Sequence, residues 1–141
     1  MASVEDAGRP RLVTARRLIS SGGPWEARAG YSRAVVIGDS CWVAGTTDAG
    51  PDNRSLHPGD LGAQTRAVFG IIGQTLAEGG FSLADIVRIR MFVTDIGRSA
   101  DVMTVQVALF GSIRPAATLV EVAALIDPSL LIEIEADARR T

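Results

Sequence analysis

The chain has 141 residues, a net charge of −2, 47% hydrophobic residues, one cysteine and one histidine. That length and apolar fraction fit one globular domain with a core of ordinary size. The near-neutral charge carries no electrostatic footprint for nucleic acid or for an anionic membrane. One cysteine and one histidine exclude an internal disulfide framework and a Cys/His zinc site within one chain.

All fourteen basic residues are arginine, which rules out a lysine Schiff base and a P-loop phosphate lysine. No apolar run approaches the roughly 18 residues that span a bilayer. The first nine residues, Met1 to Arg9, lack the basic and apolar blocks of a signal peptide. Cytoplasmic residence is the default expectation.

Residues 1–16 are polar and aperiodic and are expected to form a flexible N-terminal arm, with a single domain over 17–141. Leu18 to Ser20 reads as a short first strand, ended by Gly22-Gly23-Pro24, and Trp25 to Tyr31 as an irregular turn. Ala34–Ile37 and Cys41–Ala44 flank a short turn and read as a hairpin. Thr46 to Gly59 is rich in turn formers and reads as a loop.

Asp60 can cap a helix to about Glu78, with Ala67, Val68, Ile71, Ile72 and Leu76 on its buried stripe and Gly79-Gly80 as its stop. Val87 to Val93 reads as a strand with apolar odd positions: Val87, Ile89, Met91 and Val93. A helix follows from about Ser99 to Phe110, with Val102, Met103, Val107 and Phe110 expected toward the core. The last two strands are expected over 117–123 and 131–138, joined by a turn at Ile126 to Ser129. The order is β-β-β-α-β-α-β-β, an α+β arrangement with both helices on one face of the sheet.

Period-two alternation gives the sheet a second, charged face. Arg88, Arg90 and Phe92 alternate with one apolar row, and Leu131, Glu133, Glu135 and Asp137 with another. Either these rows pair as ordinary surface ions, or they line a polar pocket at a subunit boundary. The apolar interruptions Phe92, Leu119 and Leu131 favour the boundary.

Several segments together resemble the reactive intermediate deaminase (Rid) family, also called YjgF-like or endoribonuclease L-PSP-like. They are Gly30-Tyr31-Ser32-Arg33-Ala34, Val43-Ala44-Gly45, Gln64-Thr65, Leu76 to Val87, Met91-Phe-Val-Thr-Asp95, Arg114-Pro-Ala, Val120-Glu-Val and Ile132-Glu-Ile-Glu-Ala136. The resemblance covers roughly residues 18–138. It implies a chorismate-mutase-like fold and a homotrimeric barrel with small-molecule clefts at the subunit interfaces. It implies hydrolysis of imines or enamines to a keto acid and ammonia, without a metal or organic cofactor.

Carried over residue by residue, the family's pocket tyrosine falls on Tyr31 and its backbone donors on Ala44 and Gly45. Its water-positioning glutamate falls on Glu133. The arginine that binds the substrate carboxylate falls on Ala117, a nearby cysteine on Leu119, and an asparagine near Met103. The chain therefore resembles a divergent member that lacks the carboxylate anchor. Charged hydrogen bonds are worth about 1.5–3 kcal/mol each, so simple 2-imino acids are disfavoured as substrates.

Arg90 and Arg114 are the candidate replacements for that arginine, with structural ion pairs as the competing role. Glu133 is the candidate general base, against a structural pairing with Arg88 or Arg90. Tyr31 is either a ligand donor or an interface aromatic. His57 is either a titrating group over a cleft or a solvent-exposed loop histidine. Cys41 reads as a buried thiol and Glu121 as part of a structural charge set. Two further function classes compete with hydrolysis: a non-catalytic binding or regulatory trimer, and a scaffold that uses its outer helices.

Overall fold

The computed structural model describes residues 15–141. The expected arm falls outside the described residues except for its last two. The described residues build one six-stranded sheet in the order β1-β2-β3-β6-β4-β5. The strands are β1 (Arg17–Ile19), β2 (Ala34–Ile37), β3 (Ser40–Thr46), β4 (Ile86–Val93), β5 (Ala116–Glu121) and β6 (Ile132–Arg139), with helices α1 (Pro24–Ala29), α2 (Leu61–Glu78) and α3 (Ser99–Phe110). All neighbours are antiparallel except β4 and β5, which run parallel. The fold is α+β, as the alternation of elements implies.

The third helix is a correction. Trp25 to Tyr31 reads from sequence as an irregular turn, but Pro24–Ala29 is helical. Proline is preorganised for the first helical position, and Gly30 takes the left-handed conformation (φ 72°) that ends the helix. The hairpin turn narrows to Gly38-Asp39, with Gly38 at φ 56°. Glycine adopts the positive φ of a first turn residue, which matches the strand twist, at little steric cost.

The core lies between α2 and α3 and one sheet face. Ile132, Ile134, Ala136 and Ala138 of β6 meet Ile89, Met91 and Val93 of β4 beneath Val68, Phe69, Ile72 and Leu76 of α2. Phe69 and Phe110 join the two helices edge to face, with ring centroids 5.0 Å apart.

Two apolar faces differ from the periodic reading. In α2 the buried stripe is Leu61, Gln64, Thr65, Val68, Phe69, Ile72, Thr75 and Leu76, while Ala67 and Ile71 flank it. In α3 Val102, Val105 and Phe110 are buried, and Met103 and Val107 are exposed. This helix is apolar nearly all round, so periodicity alone does not select its inner face. Val87 is exposed because β4 shifts register between Ile86 and Arg88, which turns that residue outward.

Asp60 caps α2 by accepting from the Ala63 amide. Gln64, fully buried one turn later, pins the long loop to the start of β6. Its amide donates to the His57 and Ser129 carbonyls at 3.1 and 3.0 Å and accepts from the Leu131 amide at 2.8 Å. Among the described residues, no helix is long and apolar enough to cross a membrane.

Replacing Gln64 by Leu keeps the volume but strands three backbone groups. Each buried unsatisfied group costs about 1–3 kcal/mol, so Gln64→Leu is expected to lose more than about 2 kcal/mol in urea unfolding. A loss below about 0.5 kcal/mol would show that the loop does not depend on this side chain.

Candidate functional site

The open face of the sheet carries the charged rows. Strand β6 points Ile132, Ile134, Ala136 and Ala138 into the core and leaves Glu133, Glu135 and Asp137 half-buried on the other side. Arg90 answers them from β4, with its Nη1 3.2 Å from Glu135 Oε1 and 3.6 Å from Asp137 Oδ2. The ion-pair reading of Arg90 is therefore realised.

An open groove of about 800 Å³ runs over this part of the face. Its walls include Tyr31, Trp42, Ala44, Arg90, Glu135 and Asp137. Tyr31 is placed there by the end of α1, where its amide donates to the Glu26 carbonyl at 3.0 Å. The Tyr31 side chain is exposed.

Glu133 lies beyond the groove's walls, against Gly45. A Cβ built on Gly45 would stand 3.1 Å from Glu133 Cδ and 3.3 Å from Oε1. A side chain here would crowd the carboxylate and push it back by a few tenths of an ångström. Here the β3–β6 pairing slips: Val43 faces Ala136, but Thr46 faces Ile134. Three steps on β3 match two on β6, so Ala44-Gly45 forms a bulge.

The Ala44 amide donates to the Arg33 carbonyl at 3.0 Å, so that donor is already engaged. The Gly45 carbonyl accepts from Arg33 Nη2. Among the described residues Glu133 has no hydrogen-bond or ion-pair partner. The alternative reading of Glu133, a structural pairing with Arg88 or Arg90, is not realised. Burial pushes its carboxyl above the ordinary range, the Arg33 charge opposes that shift, and the Glu135 charge adds to it.

The model of the family described as endoribonuclease L-PSP matches residues 24–140. The chain belongs to this family. A crystal structure of a Mycobacterium tuberculosis member of the YjgF/YER057c/UK114 family is 48% identical, with a TM-score of 0.81, covering 89% of this chain and all of that one. A Yersinia pestis protein of the conserved Rid family is 30% identical, with a TM-score of 0.75, over 89% of this chain and 100% of its own. A RutC family protein of Pyrococcus abyssi is 35% identical over 77% of this chain and 84% of its own length.

Within this L-PSP-family chain the remaining candidates are dispersed. Ala117 is level with Ile89 and Leu119 with Met91 in the parallel pairing. Ile89 and Met91 are core residues, and Leu119 packs on that core. Ala117 and Leu119 thus face the helix side, opposite Glu133, and Leu119 does not interrupt the charged face as the alternation suggested. Arg114 is exposed at the end of α3 with φ 53°, its amide on the Phe110 carbonyl at 2.8 Å.

His57 is half-exposed, and its Nδ1 lies 3.1 Å from the buried Asp48 Oδ2. The same oxygen accepts from the Ser55 hydroxyl at 2.8 Å. Cys41 is fully buried, and burial pushes its thiol up. Glu121 accepts from the Ile96 amide at 3.1 Å rather than joining a charge set. Arg33 is the residue that sequence reasoning did not single out. Its signal was parity: it precedes Ala34, whose side chain is buried, and so alternates onto the open face with Val35.

Folding raises the pKa of Glu133, so the folded state binds more protons than the unfolded chain between the two pKa values. Stability is then lost as pH rises through that window. Glu133→Gln is expected to melt above the parent at about pH 7 and level with it at about pH 4. Thermal unfolding at both values checks this; a variant that melts below the parent at the higher pH contradicts it.

Proposed function

We propose that the chain forms a homotrimer whose interface clefts take a small imine, enamine or related molecule with a labile C–N bond, and hydrolyse it. The carrying observation is Glu133: a half-buried carboxylate on the open face, lying on a glycine at a bulge and without a partner among the described residues. A carboxylate so placed can take a proton from an attacking water. Water oxygen forms a bond to the imine carbon, its proton passes to Glu133, and the C=N π electrons move to nitrogen. Glu133 returns that proton to nitrogen to give the carbinolamine. It then takes the hydroxyl proton and passes it to the amine as C–O becomes C=O, and the C–N bond breaks to release ammonia and a carbonyl compound. Tyr31 donates a hydrogen bond to the ligand. No metal or organic cofactor enters this scheme.

Three features support assembly. Leu18, Tyr31 and Trp42 expose large apolar surface on or beside the groove. Met103 and Val107 do the same on α3, and Val120 on the edge strand β5. Ala117 and Leu119 lie opposite Glu133 in one chain, so a cleft that holds all three draws them from two subunits. The acidic row Glu133, Glu135 and Asp137 and the net charge of −2 oppose a phosphate backbone as partner.

Ammonia release from freshly generated neutral imines and from 2-iminopropanoate tests the chemistry. Glu133→Gln is expected to lose at least about a hundredfold in rate, the low end of general-base contributions. Release that is equal in parent and variant on every substrate would make the cleft a binding site without chemistry. Gly45→Ala places a methyl group against the carboxylate and is expected to lower kcat while the trimer persists in sedimentation. Unchanged kcat would separate Gly45 from the reacting group.

A further inference from the structure

Position 117 carries no charge, yet an arginine lies close enough to Glu133 for its charge to act on that carboxylate. Arg33 immediately precedes β2, and alternation with the buried Ala34 directs it to the open face. Its Nη2 is held by the Gly45 carbonyl, and Gly45 touches Glu133 on its other side. Arg33 and Glu133 therefore flank one bulged residue without forming an ion pair at 4.0 Å or less among the described residues. Arg33 Nε is buried and unpartnered among the described residues. Nη1 has no hydrogen-bond partner among the described residues, so among them it is a donor free for a ligand.

This arrangement differs from a structural ion pair. Arg90 spends its guanidinium on Glu135 and Asp137, and Arg114 stands exposed at a helix end. Arg33 is half-buried, fixed at one end by a backbone carbonyl, and unneutralised by a carboxylate among the described residues. A guanidinium held in this way loses little further freedom when it binds an oxyanion, and its planar donors suit a carboxylate.

We propose that Arg33 determines substrate specificity by holding an anionic oxygen group, most simply a carboxylate, next to Glu133. The acid group is then read from the β2 side of the site instead of from position 117 on β5. This rests on the hydrolytic site proposed above. It narrows the substrates to small compounds whose carboxylate lies on the Gly45 side of the labile carbon. Ala117 leaves room on the opposite side for a bulkier substituent.

Binding of 2-oxobutanoate and of its uncharged analogue 2-oxobutanamide to the intact protein, followed by NMR titration, tests the assignment. The parent is expected to prefer the carboxylate by about tenfold or more, the scale of one charged hydrogen bond. Arg33→Gln should erase that preference and leave amide binding in place, while Arg66→Gln on the outer face of α2 retains it. If Arg33→Gln does not fold, Arg33→Lys decides: it keeps the charge but not the fork, and should bind the carboxylate several-fold more weakly with the amide unchanged.

A preference that survives in Arg33→Gln, or in Arg33→Lys at full strength, overturns the assignment. So does a preference lost in Arg90→Gln or Arg114→Gln but kept in Arg33→Gln, or a parent that shows none. Ammonia release measured on the same proteins separates the two ideas. Release that needs Glu133 but ignores Arg33 removes only this inference, whereas release that ignores Glu133 removes the hydrolytic reading itself.

Discussion

Strand β6 sits between β3 and β4, and its strict alternation is the constraint on which the rest depends. Burying an isoleucine side chain stabilises by about 1.5–3 kcal/mol, whereas burying an unpaired carboxylate costs several. A slip of one residue would exchange Ile132, Ile134, Ala136 and Ala138 for Glu133, Glu135 and Asp137 under α2. The register is therefore locked by the core, and the acidic row on the open face is a consequence of it. Arg90 pairs with two members of that row, and the third, Glu133, has no partner among the described residues.

The irregularities of the sheet fall where the core tolerates them. At Ala44-Gly45 an extra residue on β3 brings backbone against Glu133, and the missing side chain of Gly45 makes that approach physical. At Val87 a second shift turns an apolar side chain out of the core. The loop after β3 is held from below by Gln64, a polar residue in the buried stripe of α2 whose amide satisfies three backbone groups. Asp48, Ser55 and His57 complete the loop's own polar network. These contacts fix the path of the chain as it leaves Gly45, and so help to hold the site in place.

Topology separates the two halves of the candidate cleft. The crossover through α3 makes β5 a parallel edge strand. In a parallel pair, residues at the same level share a face, so Ala117 and Leu119 follow Ile89 and Met91 to the helix side. No side-chain rotation carries them through the sheet to Glu133. Arg33 escapes this limit because β2 presents it on the same face as Glu133.

The alternation and helical spacing of the sequence determined the number and order of the strands, the two long helices, the Asp60 cap and the charged face. The ordered motifs determined the family. These are local signals: period two, period 3.6, capping residues and turn glycines, each read within a few neighbours. Only the tertiary structure decided the inner face of α3, because a helix apolar on all sides carries no directional signal. It also decided the burial of Gln64, whose partners lie on the loop and at the head of β6, and the outward turn of Val87, which follows from a bulge. The approach of Arg33 and Gly45 to Glu133 brings the β2–β3 hairpin against the last strand, nearly ninety residues on. Such a site depends on register, which is set by the energy of the whole core and is written in no single segment.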